Sequence, residues 1–335
     1  MNDSLINYSA DFRSRLVELL WCQWTALGVS GSALPYGGDA LLDPEALLLV
    51  SVSWARTDPR LFDEIFDWLV ERGDWINLQR FSRIQNEHEG QTDSVLAALA
   101  EHLSQRSSHH KWKSLISGSA SAEPAPLFWQ EGHFGATDPL FLKWGWQRPP
   151  VRHRGLGNEP RMDQPSNLIL KLRALFGRQS RAEVMAWLLT HESGHPAAIA
   201  RDVAYFPRSV QLTLNELERS GMVRSHRQGR EKHFSLDRRE WKFLLGAGDV
   251  DWPKWVAWPV VFRLLAQAWE LLSDQSFGEA SDQVQAIELR SRLRFESLHE
   301  AGVSGWMIRP VESKGSEAVR EVRERLDALL SELAH

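Results

Sequence analysis

From Ser166 to Leu245 the apolar residues change their spacing in an order that leaves few folds open. Asn167 to Phe176 reads as an amphipathic helix. Ser180-Arg181-Ala182-Glu183 has the spacing of a capping box, opening a second helix that carries Val184, Trp187 and Leu188. Beyond His195, Ala198, Ile199 and Val203 give a third helix its inward face, and Val210, Leu214 and Leu217 form the stripe of a fourth that docks on it. Ala204 to Pro207 is the short turn between them, and Gly221 follows the last apolar residue as a stop. The period then shortens. Met222 to His226 makes one strand, Gln228 and Gly229 supply a turn, and Lys232 to Leu236 returns with Phe234 and Leu236 on one side.

The spacing of Val210, Leu214, Leu217, Gly221 and Val223, followed by the basic Gly-Arg-Glu-Lys run at Gly229 to Lys232, resembles the winged-helix transcriptional regulators of bacteria, the ArsR and MarR-like group in particular. The resemblance is confined to residues 165–245. It implies a helix-turn-helix whose last helix reads DNA, a hairpin that serves as the wing, and a bacterial transcriptional regulator, most simply a repressor. It specifies a way of binding and no pathway.

Charge points the same way by a separate argument. Residues 165–245 carry 14 Lys and Arg against 8 Asp and Glu, whereas the rest of the chain carries 25 against 36. One basic segment in an acidic chain is the pattern expected when a single face meets a polyanion. If Val210, Leu214 and Leu217 face inward, a period of 3.6 turns Arg208, Ser209, Gln211, Leu212 and Asn215 outward toward a major groove. Gln211 and Asn215 suit adenine, Arg208 suits guanine, and Leu212 suits a thymine methyl. Arg224, Arg227, Arg230 and Lys232 on the hairpin suit phosphates or a minor groove, with Arg201 and Arg219 adding backbone contacts. One such unit reads too few base pairs to single out a genomic site, so a homodimer on an inverted-repeat operator is expected.

The remainder reads as helical. Asp43-Pro44 and Asp58-Pro59 mark two helix starts, because Asp caps and Pro fits the first helical position, and Gly73 ends the second of these helices. Further helices are expected over Leu78 to Asn86 and from Asp93. Residues 1–110 carry 16 acidic against 8 basic residues, which sets this part apart from DNA and suits an interaction or regulatory bundle. Ser104 to Pro126 and Pro149 to Pro165 read as linkers or surface loops around a third Asp-Pro start at Pro139, and His109-His110 as solvated histidines.

After the basic segment, Asp251 to Leu272 reads as a helical hairpin, or as one helix with a proline break, rich in tryptophan. The chain holds 16 tryptophans. A pocket for a small-molecule effector would use some of them, but pockets also need convergent polar groups, so packing is the favoured reading. Val319, Val322, Leu326 and Leu329 form an apolar stripe on a last helix, a dimer arm in this reading.

The expected architecture is mainly α and multidomain: helical 1–103, a connecting 104–164, the winged helix at 165–245, and a tryptophan-rich 246–335. One cysteine, Cys22, excludes an internal disulfide and a cysteine-cluster metal site. No apolar run has a membrane span's length, and the amino terminus lacks a signal-peptide core, so a cytoplasmic protein is expected. Neither a phosphate-binding glycine loop nor a hydrolase or metalloprotease motif is present, so neither enzymatic activity nor a cofactor is expected. The competing class is a protein-interaction module within a larger assembly, in DNA defence or repair for example. An exposed basic outer face would favour DNA over that alternative.

Overall fold

Aspartate followed by proline begins three of the helices in the computed structural model, which describes residues 2–31, 33–34, 36–87, 93–118, 123–129, 136–246, 250–303 and 307–334. After α1 (Asn2–Ala26), α2 (Pro44–Trp54) starts where Asp43 accepts the Ala46 N–H at 3.0 Å, and α3 (Pro59–Arg72) where Asp58 accepts those of Arg60 and Leu61. Two more follow, α4 (Leu78–Glu87) and α5 (Asp93–Ser104). A two-residue parallel pairing of β1 (Ala125–Pro126) with β2 (Trp146–Gln147) brackets α6 (Pro139–Lys143), the third Asp-Pro start, capped by Asp138.

Next come α7 (Leu168–Phe176), α8 (Ser180–Thr190), α9 (Pro196–Asp202), α10 (Pro207–Arg219) and an antiparallel hairpin of β3 (Arg224–Gln228) and β4 (Glu231–Ser235). The chain closes with α11 (Trp258–Ser273), α12 (Gln275–Glu279), α13 (Asp282–Arg292) and α14 (Gly315–Ala334). The protein is mainly helical, and none of its helices among the described residues is long and apolar enough to cross a membrane.

Helix α2 explains how the parts hold together. Leu47, Leu48, Leu49 and Val50 leave it no polar face, and a helix apolar all round must be enclosed. It packs against α1, α4 and α11. The buried apolar residues form one continuous cluster from Phe12 to Leu333. Tryptophans fill much of it, and three of them satisfy their N–H groups over long range: Trp24 donates to Ser51 Oγ at 2.8 Å, Trp68 to the Leu27 carbonyl at 2.8 Å, and Trp258 to the Leu41 carbonyl at 2.6 Å. Trp54 stacks on Trp269, with ring centroids 5.8 Å apart.

Four local expectations change. Pro259 begins α11 and does not break it; residues 252–257 are non-helical, with a bridge from Lys254 to Ala40. Ser180 caps nothing, because its hydroxyl pairs with Thr213 at 2.9 Å and Glu183 turns into the interior. His109 is buried, its Nε2 lying 2.9 Å from the Leu69 carbonyl, while His110 is exposed. In the same segment, of which residues 119–122 lie outside the described residues, Trp112 is buried and donates to the Gly73 carbonyl, so this stretch packs on the end of α3. Lastly, the stripe of Val319, Val322, Leu326 and Leu329 is covered within the chain by α1 and α13, and Arg15 and Tyr8 of α1 reach Asp327 beside it. That stripe is no free dimer arm.

Candidate nucleic-acid interface

The segment from α7 to β4 is assembled by short-range chemistry that the residues make legible. Pro196 starts α9, with His195 Nδ1 accepting the Ala197 N–H at 3.3 Å. The turn into α10 passes through Ala204 at φ 54°, a left-handed conformation that costs a non-glycine residue roughly 1 kcal/mol. It is held there by Tyr205 N–H on the Ala200 carbonyl at 2.9 Å and by burial of Ala204 itself. Ile199, Val203, Val210, Leu214 and Leu217 are all buried between α9 and α10, with Ala200 taking the inward position expected of Ala198.

Gly221, at φ 78°, ends α10. Met222 N–H reaches the Leu217 carbonyl and Gly221 N–H the Glu218 carbonyl, the paired bonds of a Schellman stop. The hairpin then turns at Gly229-Arg230, one residue later than expected, since Gln228 still pairs with Glu231. Gly229 at φ 64° supplies the positive φ that a two-residue turn needs at its first position. Gly194 exchanges two backbone hydrogen bonds of 2.9 Å with Phe234, an isolated antiparallel bridge to the outer side of β4, where the Phe234 ring is buried. A Cβ at Gly194 would lie 2.2 Å from the Trp187 ring, so only glycine permits this approach.

The expected contact residues fall on one basic unit with differing freedom. On α10, Arg208, Leu212 and Arg219 are exposed, whereas Ser209, Gln211 and Asn215 are half-buried. Gln211 Nε2 donates to Asn215 Oδ1 at 3.0 Å, so these two amides form a pair along the helix face. On the hairpin Arg224, Arg227, Arg230 and Lys232 are exposed. Lys232 is engaged by Glu218 at 2.5 Å, and that contact together with the Ser225 hydroxyl holds the Glu218 carboxyl below its ordinary range. Arg201 pairs with Asp202 at 3.0 Å. Arg208, Arg219, Arg224, Arg227 and Arg230 form no ion pair among the described residues.

Two features escaped the linear reading. Histidines 195, 233 and 226 lie side by side across the hairpin and the Gly194 bridge, with ring centroids 6.0 and 5.8 Å apart. The His226–His233 pairing follows from the hairpin register, but His195 joins only through the Gly194 bridge. The second is α4, from the acidic part of the chain. Its Arg83 guanidinium stands 4.4 Å from the ring centroid of Phe206, at the start of α10, and its Arg80 Nε donates to the Val203 carbonyl at 3.0 Å. No periodicity joins α4 to this turn.

The tryptophan-rich segment beside it encloses little space. The cavity bordered by Trp255, Trp258, Arg173 and Glu183 measures about 20 Å³, room for a single water. No family model matches this chain, no curated protein is detectably similar to it, and no solved structure matches it.

Proposed function

We propose that residues 165–245 form a winged helix that binds duplex DNA, with α10 in the major groove and the β3–β4 hairpin on the flanking backbone. One observation carries this reading. Arg208 at the start of α10 and Arg224, Arg227 and Arg230 on the hairpin are exposed and have no carboxylate partner among the described residues, in a chain of net charge −5. Phosphate contact by such side chains positions the protein, and the Gln211–Asn215 pair and Leu212 are placed to read base edges. The activity that fits is sequence-specific binding by a cytoplasmic transcriptional regulator of bacterial type, a repressor, acting as a two-fold pair on an inverted repeat. Because the α14 stripe is buried within the chain, pairing requires another surface.

A second reading has one observation in its favour. Phe206 and Leu212, at and just beyond the start of α10, are 58 % and 55 % exposed, and an apolar pair at a helix end also suits a protein partner. Salt separates the two. DNA binding through phosphates weakens steeply as salt rises, by roughly one unit of log–log slope per phosphate contact. In a filter-binding assay, Arg227→Gln with Arg230→Gln is expected to weaken binding to every duplex and to flatten that slope by about two units. Unchanged affinity, or binding indifferent to salt, would favour the protein partner.

A further inference from the structure

The carboxy-terminal part carries a polar groove that no contact of the proposed DNA-binding face uses. It encloses about 580 Å³, within the range of roughly 300 to 1,000 Å³ typical of small-molecule sites. Arg263, Gln267 and Glu270 stand at i, i+4 and i+7 on α11 and form one wall. The other wall is the end of α13 and the segment after it. There Leu293, Phe295 and Leu298 point inward, at 2 %, 0 % and 0 % exposure, which turns Arg292, Arg294 and Ser297 outward into the groove.

Residues 246–335 hold 10 Lys and Arg against 15 Asp and Glu, so three arginines around one groove run against the local charge. Arg292 is steadied from behind by Glu288 at 3.3 Å, and Arg263 donates to the Glu87 carbonyl at 3.3 Å. Arg294 has no ion partner among the described residues. Even with Glu270 and Glu288 both counted, guanidinium groups outnumber carboxylates.

We infer that this groove binds the phosphate group of a small phosphorylated molecule. A planar guanidinium donates two parallel N–H bonds to a phosphate, which a solvated ammonium cannot do, and all three cations here are arginine. Gln267 adds a neutral amide donor at the rim, the Ser297 hydroxyl being committed to the Arg294 carbonyl at 2.7 Å, and the volume leaves room for an organic body beside the phosphate. The assignment stands whether or not the basic hairpin binds DNA.

Isothermal titration of the full-length chain with sodium pyrophosphate, against sodium chloride at matched ionic strength, tests it. Saturable binding of one pyrophosphate per chain is expected. Arg294→Gln and Arg263→Gln should each weaken it by about ten-fold or more, the worth of one charged hydrogen-bonding contact. Arg294→Lys, which keeps the charge and loses the fork, should fall between, and serves if the glutamine variant does not fold. The hairpin substitutions Arg227→Gln and Arg230→Gln should leave the affinity unchanged. Absence of saturable binding, titrations indifferent to Arg294, or loss of binding in the hairpin variants would each overturn the assignment.

Discussion

Arg173 of α7 grips Glu45 of α2 with both ends of its guanidinium, Nη1 donating to Oε1 at 2.8 Å and Nη2 to Oε2 at 2.6 Å, in a site where Glu45 is completely buried. The pair is the centre of a five-residue ion cluster. Arg173 also donates to Glu183, and Arg80 of α4 donates to Glu45 and to Asp43. Burial pushes the Asp43 carboxyl up, yet Arg80 beside it outweighs that and holds it below the ordinary value. Glu183 goes the other way, because burial there exceeds the pull of Arg173 and Arg80 and raises its carboxyl. The cluster ties the basic segment to the acidic helices before it.

Removing Glu45 leaves Arg173 with Glu183 alone and Arg80 with Asp43 alone. Glu45→Ala should destabilise the protein by about 3 to 5 kcal/mol, because Arg173 and Arg80 would stay buried without their shared carboxylate. Glu183→Gln should cost far less, since a carboxyl already driven toward its neutral form is replaced by a neutral amide. Urea denaturation of the two variants checks this, and equal losses would contradict it.

His102 of α5 and His153 meet Nε2 to Nε2 at 2.9 Å, a bond in which one ring donates and the other accepts. Burial, and then His153 beside it, lowers the His102 imidazole below its ordinary 6.5; Asp138 opposes that shift, and Arg106 and Arg148 assist it. A histidine lowered in the folded state stabilises fully above 6.5, and the stabilisation is lost as pH falls below that value, where the unfolded chain takes up more protons. The melting temperature should therefore drop between pH 7 and pH 5 or so, and His102→Gln should flatten that part of the profile. A profile of unchanged steepness in the variant would remove His102 as the cause.

Leu326 on α14 is fully buried inside the chain. Leu326→Ala should cost about 2 to 5 kcal/mol in thermal or chemical unfolding at any protein concentration. A loss confined to dilute protein, with sedimentation showing a dissociating dimer, would instead place the stripe at a subunit interface.

If α10 reads bases, the hydrogen-bonded Gln211 and Asn215 act as a unit, and their effects should not add. Gln211→Ala and Asn215→Ala should each relax preference at one base pair by about 1 to 3 kcal/mol, and the double variant should lose less than the sum. Equal losses on cognate and random duplexes would move both residues to backbone contact.

What the chain determines by itself is local. Asp43-Pro44, Asp58-Pro59 and Asp138-Pro139 begin helices because the capping carboxylate and the proline act within three or four residues. The Val210–Leu214–Leu217 stripe, the Gly221 stop and the strand pairing after it are equally short-range, and the helical period alone places Arg208 outward. What tertiary structure decides is which surfaces remain. An apolar stripe looks the same in sequence whether its cover is α1 of the same chain, as for α14, or a second subunit. Glu183 has the spacing of a capping residue, yet it turns inward to accept from Arg173, ten positions earlier, whose Nε lies beyond the reach of Glu45 and finds its acceptor in Glu183 Oε1 at 3.0 Å. Contacts between residues 128 positions apart, such as Arg173 with Glu45, depend on the packing of whole helices, and no period along the chain encodes them.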